Sequence, residues 1–512
     1  MVLVNHGKVP EARQALARYR PAPGVELEMR VWMQLHLGVE VTAGDARVMI
    51  DMVRRLPDGE FRDAIVAMLI REAAIAAQSG AFPDDVTTEI SGLETETAGR
   101  PGTGLRIDPN DDDAVRAALE KRQPDLRAYQ ALLTDVQRGS ASMAEIARLA
   151  GRPYGTVLIH RPAGVFPAAD FTAGLRAAGE RASREAIAAG SCVADLSSLH
   201  LLGLLDEDDR LQVRAKLPSL IVARAAVDDA LLTRDNLRGV AAATYTASLS
   251  PDGTIERTTL NAVQQALFRA QSEALERLAS AADVRYPGTP GDAAASACSL
   301  AAESGLPLCC DDTRGVQKAR TAGVAAFSLL DLLTTLSSEG VPFDLAAIYQ
   351  RLAGHYVMDL PLTAEDIIAL AGTQDWLPGP AHTTLARPRW WHHHGTGWED
   401  SWLRIATQAR AHCPEALTTI TKAALTGALQ YVTTGLSTQR YQRIAVLALA
   451  ACHHAGLPAP DGLLGRLAEQ AHPRVVPRPP YVLLALINEL QRRHVPDAED
   501  VAHRLLPGVE RP

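Results

Sequence analysis

Between residues 191 and 336 short apolar runs alternate with helical stretches, and this alternation restricts the fold more than any other feature of the chain. Ser191-Cys192-Val193-Ala194 ends in Asp195 and leads into a helical pattern over Ser198–Leu205. Leu217–Val222 is followed by a helix from Ala225, Leu306–Cys310 ends in Asp311-Asp312, and Val324–Phe327 precedes the helical stretch Leu329–Leu336. Strands buried on both faces read as short unbroken apolar runs. Their alternation with helices predicts a parallel sheet flanked by helices. Thr244–Glu256, centred on Asp252-Gly253, reads as an inserted hairpin.

The rest of the 512 residues reads as helix. Apolar residues make up 47% of the chain but aromatics only 4%, and Ala and Leu dominate the apolar set; both favour helix over strand. The expected fold class is therefore mostly α with an embedded α/β domain. Helices are expected over Val9–Tyr19, Val25–Leu37, Ala43–Arg55 and Glu60–Ser79, separated by turns at Pro21–Gly24 and Pro57–Gly59. Such short pairs resemble tetratricopeptide-type repeats, and the chain reads as beginning inside an array of them. Residues 1–80 form this helical-repeat region, 81–112 a Gly-, Pro-, Thr- and Asp-rich linker, 113–187 a helical connector, 188–338 the α/β domain and 339–512 a helical C-terminal domain.

Acidic side chains gather where a parallel sheet binds its ligands, beyond the carboxyl ends of the strands. Asp195 ends the first strand, Asp228 and Asp229 lie in the helix after the second, Asp292 opens the helix before the third, and Asp311 and Asp312 end that strand. Carboxylates converging in a low dielectric repel one another unless a cation joins them. Mg²⁺ or Mn²⁺, hard ions that prefer oxygen ligands, answer that need. The plainer alternative is that Asp195 and Asp312 cap the helices that follow them. The number and placement of the acids favour the cation.

The stretch "SCVADLSSLHLLGLL" resembles the opening strand and helix of a PIN domain, with Asp195 ending the strand and Ser197 two positions on. "LPSLIVARAAVDDALL" is similar to the second strand and helix. "GDAAASACSLAAESGLPLCCDDTRGVQKARTAGVAAFSLLDLL" matches the pattern of an Asp opening an Ala-rich helix, then an apolar strand, an acidic end, a charged helix and a last strand. This resemblance implies a metal-dependent endoribonuclease acting on single-stranded RNA. Asp195, Asp229, Asp292 and Asp312 are its catalytic and metal-holding residues, with Asp311 as a further metal ligand and Ser197 beside the substrate. Arg314 and Lys318, one helical turn apart, are candidates for holding a phosphate, or else form a solvated helix face. Two positions depart from the family pattern: the second acid is Asp rather than Glu, and Cys310 stands where Ser or Thr is usual. They motivate a second reading, a catalytically inactive PIN-like adaptor or sensor whose helical repeats hold a protein partner.

Ser142–Arg161 resembles a bacterial helix-turn-helix. Pro162 and the apolar Val157-Leu158-Ile159 make a packed helical hairpin the stronger expectation, although a DNA reader would use Arg152 or Thr156. The Trp- and His-rich loop near 388–400 reads as surface or interface packing, or as a base-stacking surface, because adjacent histidines cannot share one ion. The net charge of −9 argues against a protein that coats nucleic acid indiscriminately. Six cysteines without a CxxC pair read as reduced, buried thiols. With no apolar run near the length that spans a bilayer, no membrane partner is expected and the assignment is cytoplasmic.

Overall fold

Helical spacing is realised almost residue for residue at the N-terminus, where helices cover Val9–Tyr19, Glu26–His36, Ala43–Arg55 and Glu60–Ala77. Thr42 caps Ala43–Arg55 by accepting a hydrogen bond from the Asp45 amide, and the Asp45 side chain reaches back to Thr42. Trp32, Met49, Ile50, Ile65 and Leu69 close into a core. The stretch expected to be a linker opens instead with a helix, Asp84–Thr97, whose Val86, Ile90 and Leu93 complete that core. The apolar positions keep helical spacing although their neighbours are polar, so composition concealed the element. The computed structural model describes residues 2–509 apart from 6–7, 20–22, 78–79, 98–111, 123–125, 162–163, 168–172, 243–245, 250–253, 259, 394–396, 431–435, 462 and 469–478.

The chain divides into two units, residues 1–163 with 177–335 and residues 164–176 with 336–512. Among the described residues the strands are β1 (Phe166–Pro167), β2 (Ser191–Ala194), β3 (Ser219–Ala223), β4 (Thr246–Leu249), β5 (Ile255–Thr258), β6 (Asp283–Arg285), β7 (Leu308–Cys309), β8 (Ala326–Phe327) and β9 (Val357–Met358). The first unit holds a five-stranded sheet in the order β6-β3-β2-β7-β8, parallel throughout. Val193 pairs with Ile221 on one side of β2 and with Leu308 on the other. Strand order thus reverses at β2, and the gap between β2 and β7 is the switch point where such sheets hold ligands. The helices Ala293–Ser304 and Thr313–Thr321 cover the sheet, burying Ala297, Leu300, Val316 and Ala319 against Val193, Ile221 and Leu308.

The expected hairpin is present as antiparallel β4 and β5, its Asp252-Gly253 centre lying outside the described residues. Two elements carried no clear sequence signal. Strand β6 is an edge strand of Asp, Val and Arg, and the helix Glu207–Lys216 is mostly charged and buries only Val213.

In the second unit β1 pairs in parallel with β9, and the rest of its regular structure is helical. Here the loop reading near 388–400 is corrected. Helices cover Pro388–His393 and Trp398–His412, and Trp390, Trp391, Trp398 and Trp402 are buried, with edge-on and tilted ring packing around Trp391. They form the interior of this unit rather than a surface on which bases stack. Cys192, Cys309, Cys310 and Cys452 are buried and, like Cys298 and Cys413, unoxidised. Among the described residues no helix is long and apolar enough to cross a membrane.

Candidate active site

Strand β2 ends at Ala194, and the chain turns into the helix Leu196–Leu204 at Asp195. The Asp195 carboxylate caps that helix: Oδ2 accepts from the Ser197 amide (3.1 Å) and from Ser197 Oγ (2.6 Å). Strand β7 ends next door, and Asp312 caps the helix Thr313–Thr321 through the Gly315 amide (3.1 Å). Ser197 ties the two strand ends together, since its Oγ accepts from the amides of Asp311 (2.9 Å) and Asp312 (3.3 Å). Both carboxylates are buried, Asp195 2% and Asp312 4% exposed.

The hydroxyl of Tyr154 lies between them, 3.3 Å from Asp195 Oδ2 and 3.4 Å from Asp312 Oδ2. Two acids 117 positions apart in sequence, with nothing local to join them, thus come within reach of one phenol at the switch point. Burial pushes both carboxylates above their usual range; the hydrogen bonds of Ser197 on Asp195, and of Ser142 and the Gly315 amide on Asp312, oppose it. Burial also drives the Tyr154 phenol well up, and the two acids add to the effect. Asp195 Oδ1 is buried without a hydrogen-bond partner. The Cys310 thiol, 3.7 Å from Asp195 Oδ2, is driven well up by burial and then by Asp195 and Asp312, so it remains a neutral thiol.

The other candidates are held differently. Asp292 caps the helix Ala293–Ser304 through the Ala295 amide (2.9 Å) and pairs with Arg148 (2.7 Å). Burial raises it, but the Ala295 amide and Arg148 outweigh this and hold it below the usual carboxylate range. Asp229 faces the start of the helix Tyr154–His160, accepting from the amides of Tyr154 and Gly155 at 2.8 Å each. Its neighbour Asp228 pairs with Arg224 (2.8 Å) and accepts from Gln34 (2.8 Å). Asp311 turns away from the crevice to the Leu329 amide (3.0 Å), and burial pushes it up to about 7 against that hydrogen bond. Lys318 pairs with Glu145 (2.5 Å) and Arg314 donates to Gln317 (3.1 Å).

A cavity of about 380 Å³ collects Asp195, Asp292, Asp312, Tyr154, Cys310 and Lys318 on its walls. Asp229 and Asp311 are not among its lining residues. In this arrangement the acids do not fit a divalent cation. Among the described residues no three His, Cys, Asp or Glu side chains are grouped to hold one, and most of the oxygens that would serve are engaged by N–H and O–H donors. The chain matches no family model, no curated protein and no solved structure. The residues that sequence reasoning passed over are Ser142, Glu145, Arg148 and Tyr154. The helix-turn-helix spacing located them on a hairpin, but no local signal tells where that hairpin docks. Its second helix buries Tyr154 and Thr156 through Ile159, leaving that stretch no open face for a DNA groove.

Proposed function

We propose that this chain is a divalent-metal-dependent endoribonuclease of PIN type that cleaves single-stranded RNA, seen with its acidic crevice closed. The observation that carries the reading is the meeting of Asp195 and Asp312 at the switch point of a parallel sheet, with an unpartnered Asp195 oxygen buried beside them. Buried carboxylates with raised pKa values, gathered in a cleft, mark functional sites more often than structural ones. Mg²⁺ or Mn²⁺ is the cation whose chemistry suits them. Asp195, Asp312 and Asp292, which share the cavity, are the side chains to which the ligand role falls. Asp229 joins them only if it leaves the start of the helix Tyr154–His160, and Asp311 keeps a supporting place behind the strand end. Lys318 stands on the cavity wall, where a phosphate would be drawn, whereas Arg314 is not among the lining residues.

The second reading, an inactive PIN-like adaptor whose N-terminal helices hold a protein partner, draws on one specific observation: Asp229, Asp292 and Asp312 are already satisfied by the chain itself. One experiment separates the two. A labelled single-stranded RNA is incubated with the protein and Mn²⁺, and with the Asp195→Asn/Asp312→Asn variant. The nuclease reading expects cleavage that falls by roughly a hundredfold or more in the variant, with circular dichroism unchanged. Equal cleavage by both proteins would end the reading. Absence of cleavage from wild type together with calorimetric silence toward Mn²⁺ would favour the adaptor.

A further inference from the structure

We propose that the helix Met143–Ala150 is a lid that occupies the acidic crevice and must withdraw before a cation can enter. This rests on the nuclease reading for its purpose, but the contacts stand without it. Three polar side chains and one amide of this short segment all reach across to the α/β domain. Ser142 Oγ (2.8 Å) and the Met143 amide (2.7 Å) both donate to Asp312 Oδ2. Arg148 pairs with Asp292 (2.7 Å), and Glu145 with Lys318 (2.5 Å). The first two contacts are buried and the others exposed, so the hold on Asp312 dominates.

Cation-like donors are thus delivered to the carboxylates the cavity brings together: an O–H and an N–H to one, a guanidinium to another. The helix even covers the one basic cavity residue, Lys318, with an acid. Its complement of charges is the reverse of the crevice, position by position. The orphaned Asp195 Oδ1 is the one carboxylate oxygen of the cavity that this segment leaves unanswered.

The segment is built to move as a piece. Gly139 (φ 75°) precedes it and Gly151 (φ 58°) ends it, both in the left-handed region where glycine rotates freely. The following helix, Tyr154–His160, is a fixture by contrast. It buries Val157, Leu158 and Ile159 and lies against the helices Leu196–Leu204, Arg224–Ala242 and Ala262–Ala281. Swinging Met143–Ala150 about the two glycines would bare Asp312, Asp292 and Lys318 together and leave Tyr154 and Asp229 in place. Because linkage is reciprocal, a cation that binds only the open crevice must itself promote opening.

The test uses the full chain and Mn²⁺ alone as probe. Ser142→Ala/Glu145→Ala/Arg148→Ala removes the lid contacts without adding a metal ligand, and Ser142→Ala/Arg148→Ala replaces it if the triple variant is unfolded by circular dichroism. Expected are faster amide exchange in Met143–Ala150 and Mn²⁺ binding tighter by roughly tenfold, the worth of one hydrogen bond to a charged group. Adding Asp312→Asn should abolish that gain. In wild type, Mn²⁺ should speed exchange in the same helix. Tighter Mn²⁺ binding without RNA cleavage would keep the lid and overturn the nuclease. Faster exchange with unchanged Mn²⁺ affinity overturns the lid, as does exchange that stays at the wild-type rate in both variants. Wild type cleaving RNA as fast as the opened variant overturns the lid and leaves the nuclease standing.

Discussion

Glu489 shows what the second unit does with a buried acid. Its side chain is 1% exposed and lies against Arg443 (2.7 Å), Arg492 (3.0 Å) and Arg493. Burial alone would raise its pKa, but the hydrogen bonds from the three arginines bring it down to about 2. The folded chain therefore binds fewer protons here than the unfolded chain. The stabilisation is in place above the unfolded glutamate's pKa of about 4.5 and is lost as pH falls toward about 2. Glu489→Gln keeps the shape and strands the guanidinium groups, at a cost of about 3 kcal/mol near neutral pH. Thermal unfolding from pH 7 to pH 2.5 checks this: the Tm gap between wild type and variant should narrow below about pH 4.5. A gap that stays constant over the whole range would rule the account out. The acids of the crevice move the other way because no arginine is buried with them. Asp195 and Asp312 are held by neutral donors, which only partly offset burial.

The hairpin that closes the crevice depends on one close approach. A Cβ at Gly155 would lie 2.5 Å from Thr233 Oγ1 and 2.8 Å from Leu275 Cδ2. Thr233 is β-branched and fully buried, so it gives little. Gly155→Ala should cost about 1–3 kcal/mol and loosen the amides that hold Asp229. Gly92 sits inside the helix Asp84–Thr97 with nothing within 4 Å of its added Cβ. Gly92→Ala should therefore stabilise by about 0.5–1 kcal/mol through helix propensity. Opposite signs in one set of Tm measurements are the expected result, and a lower Tm for both would contradict it. These elements were legible to different degrees. Ala43–Arg55 and Leu126–Arg138 could be read to the residue, since spacing and caps are local. Asp84–Thr97 was hidden by a polar composition, and β6 by the lack of any apolar run.

Within the first unit, the N-terminal helices are tied to the α/β domain by charge as well as by packing. Arg71 pairs with Asp235 (2.5 Å), Glu72 with Arg238 (2.7 Å), and Glu276 with Arg234 (2.7 Å) and Arg13. Glu72 is 2% exposed, so Glu72→Ala leaves Arg71 and Arg238 uncompensated and should cost about 3 kcal/mol. Amide exchange should quicken first in Glu60–Ala77 and Arg224–Ala242, the two helices that the network joins. Protection unchanged in both would show that apolar packing alone holds them.

The sequence by itself determined the helical character, the parallel strands β2, β3, β7 and β8, the hairpin of β4 and β5, and the Asp at each strand end, because periodicity, turn residues and capping act over a few positions. Tertiary structure alone decided what those aspartates touch. Asp312 meets Ser142 across 170 positions and Asp292 meets Arg148 across 144. A carboxylate's charge is the same whether a metal ion, an arginine or a helix end lies opposite it. Only the packed fold selects the partner, and here it set a helix of the same chain over the crevice.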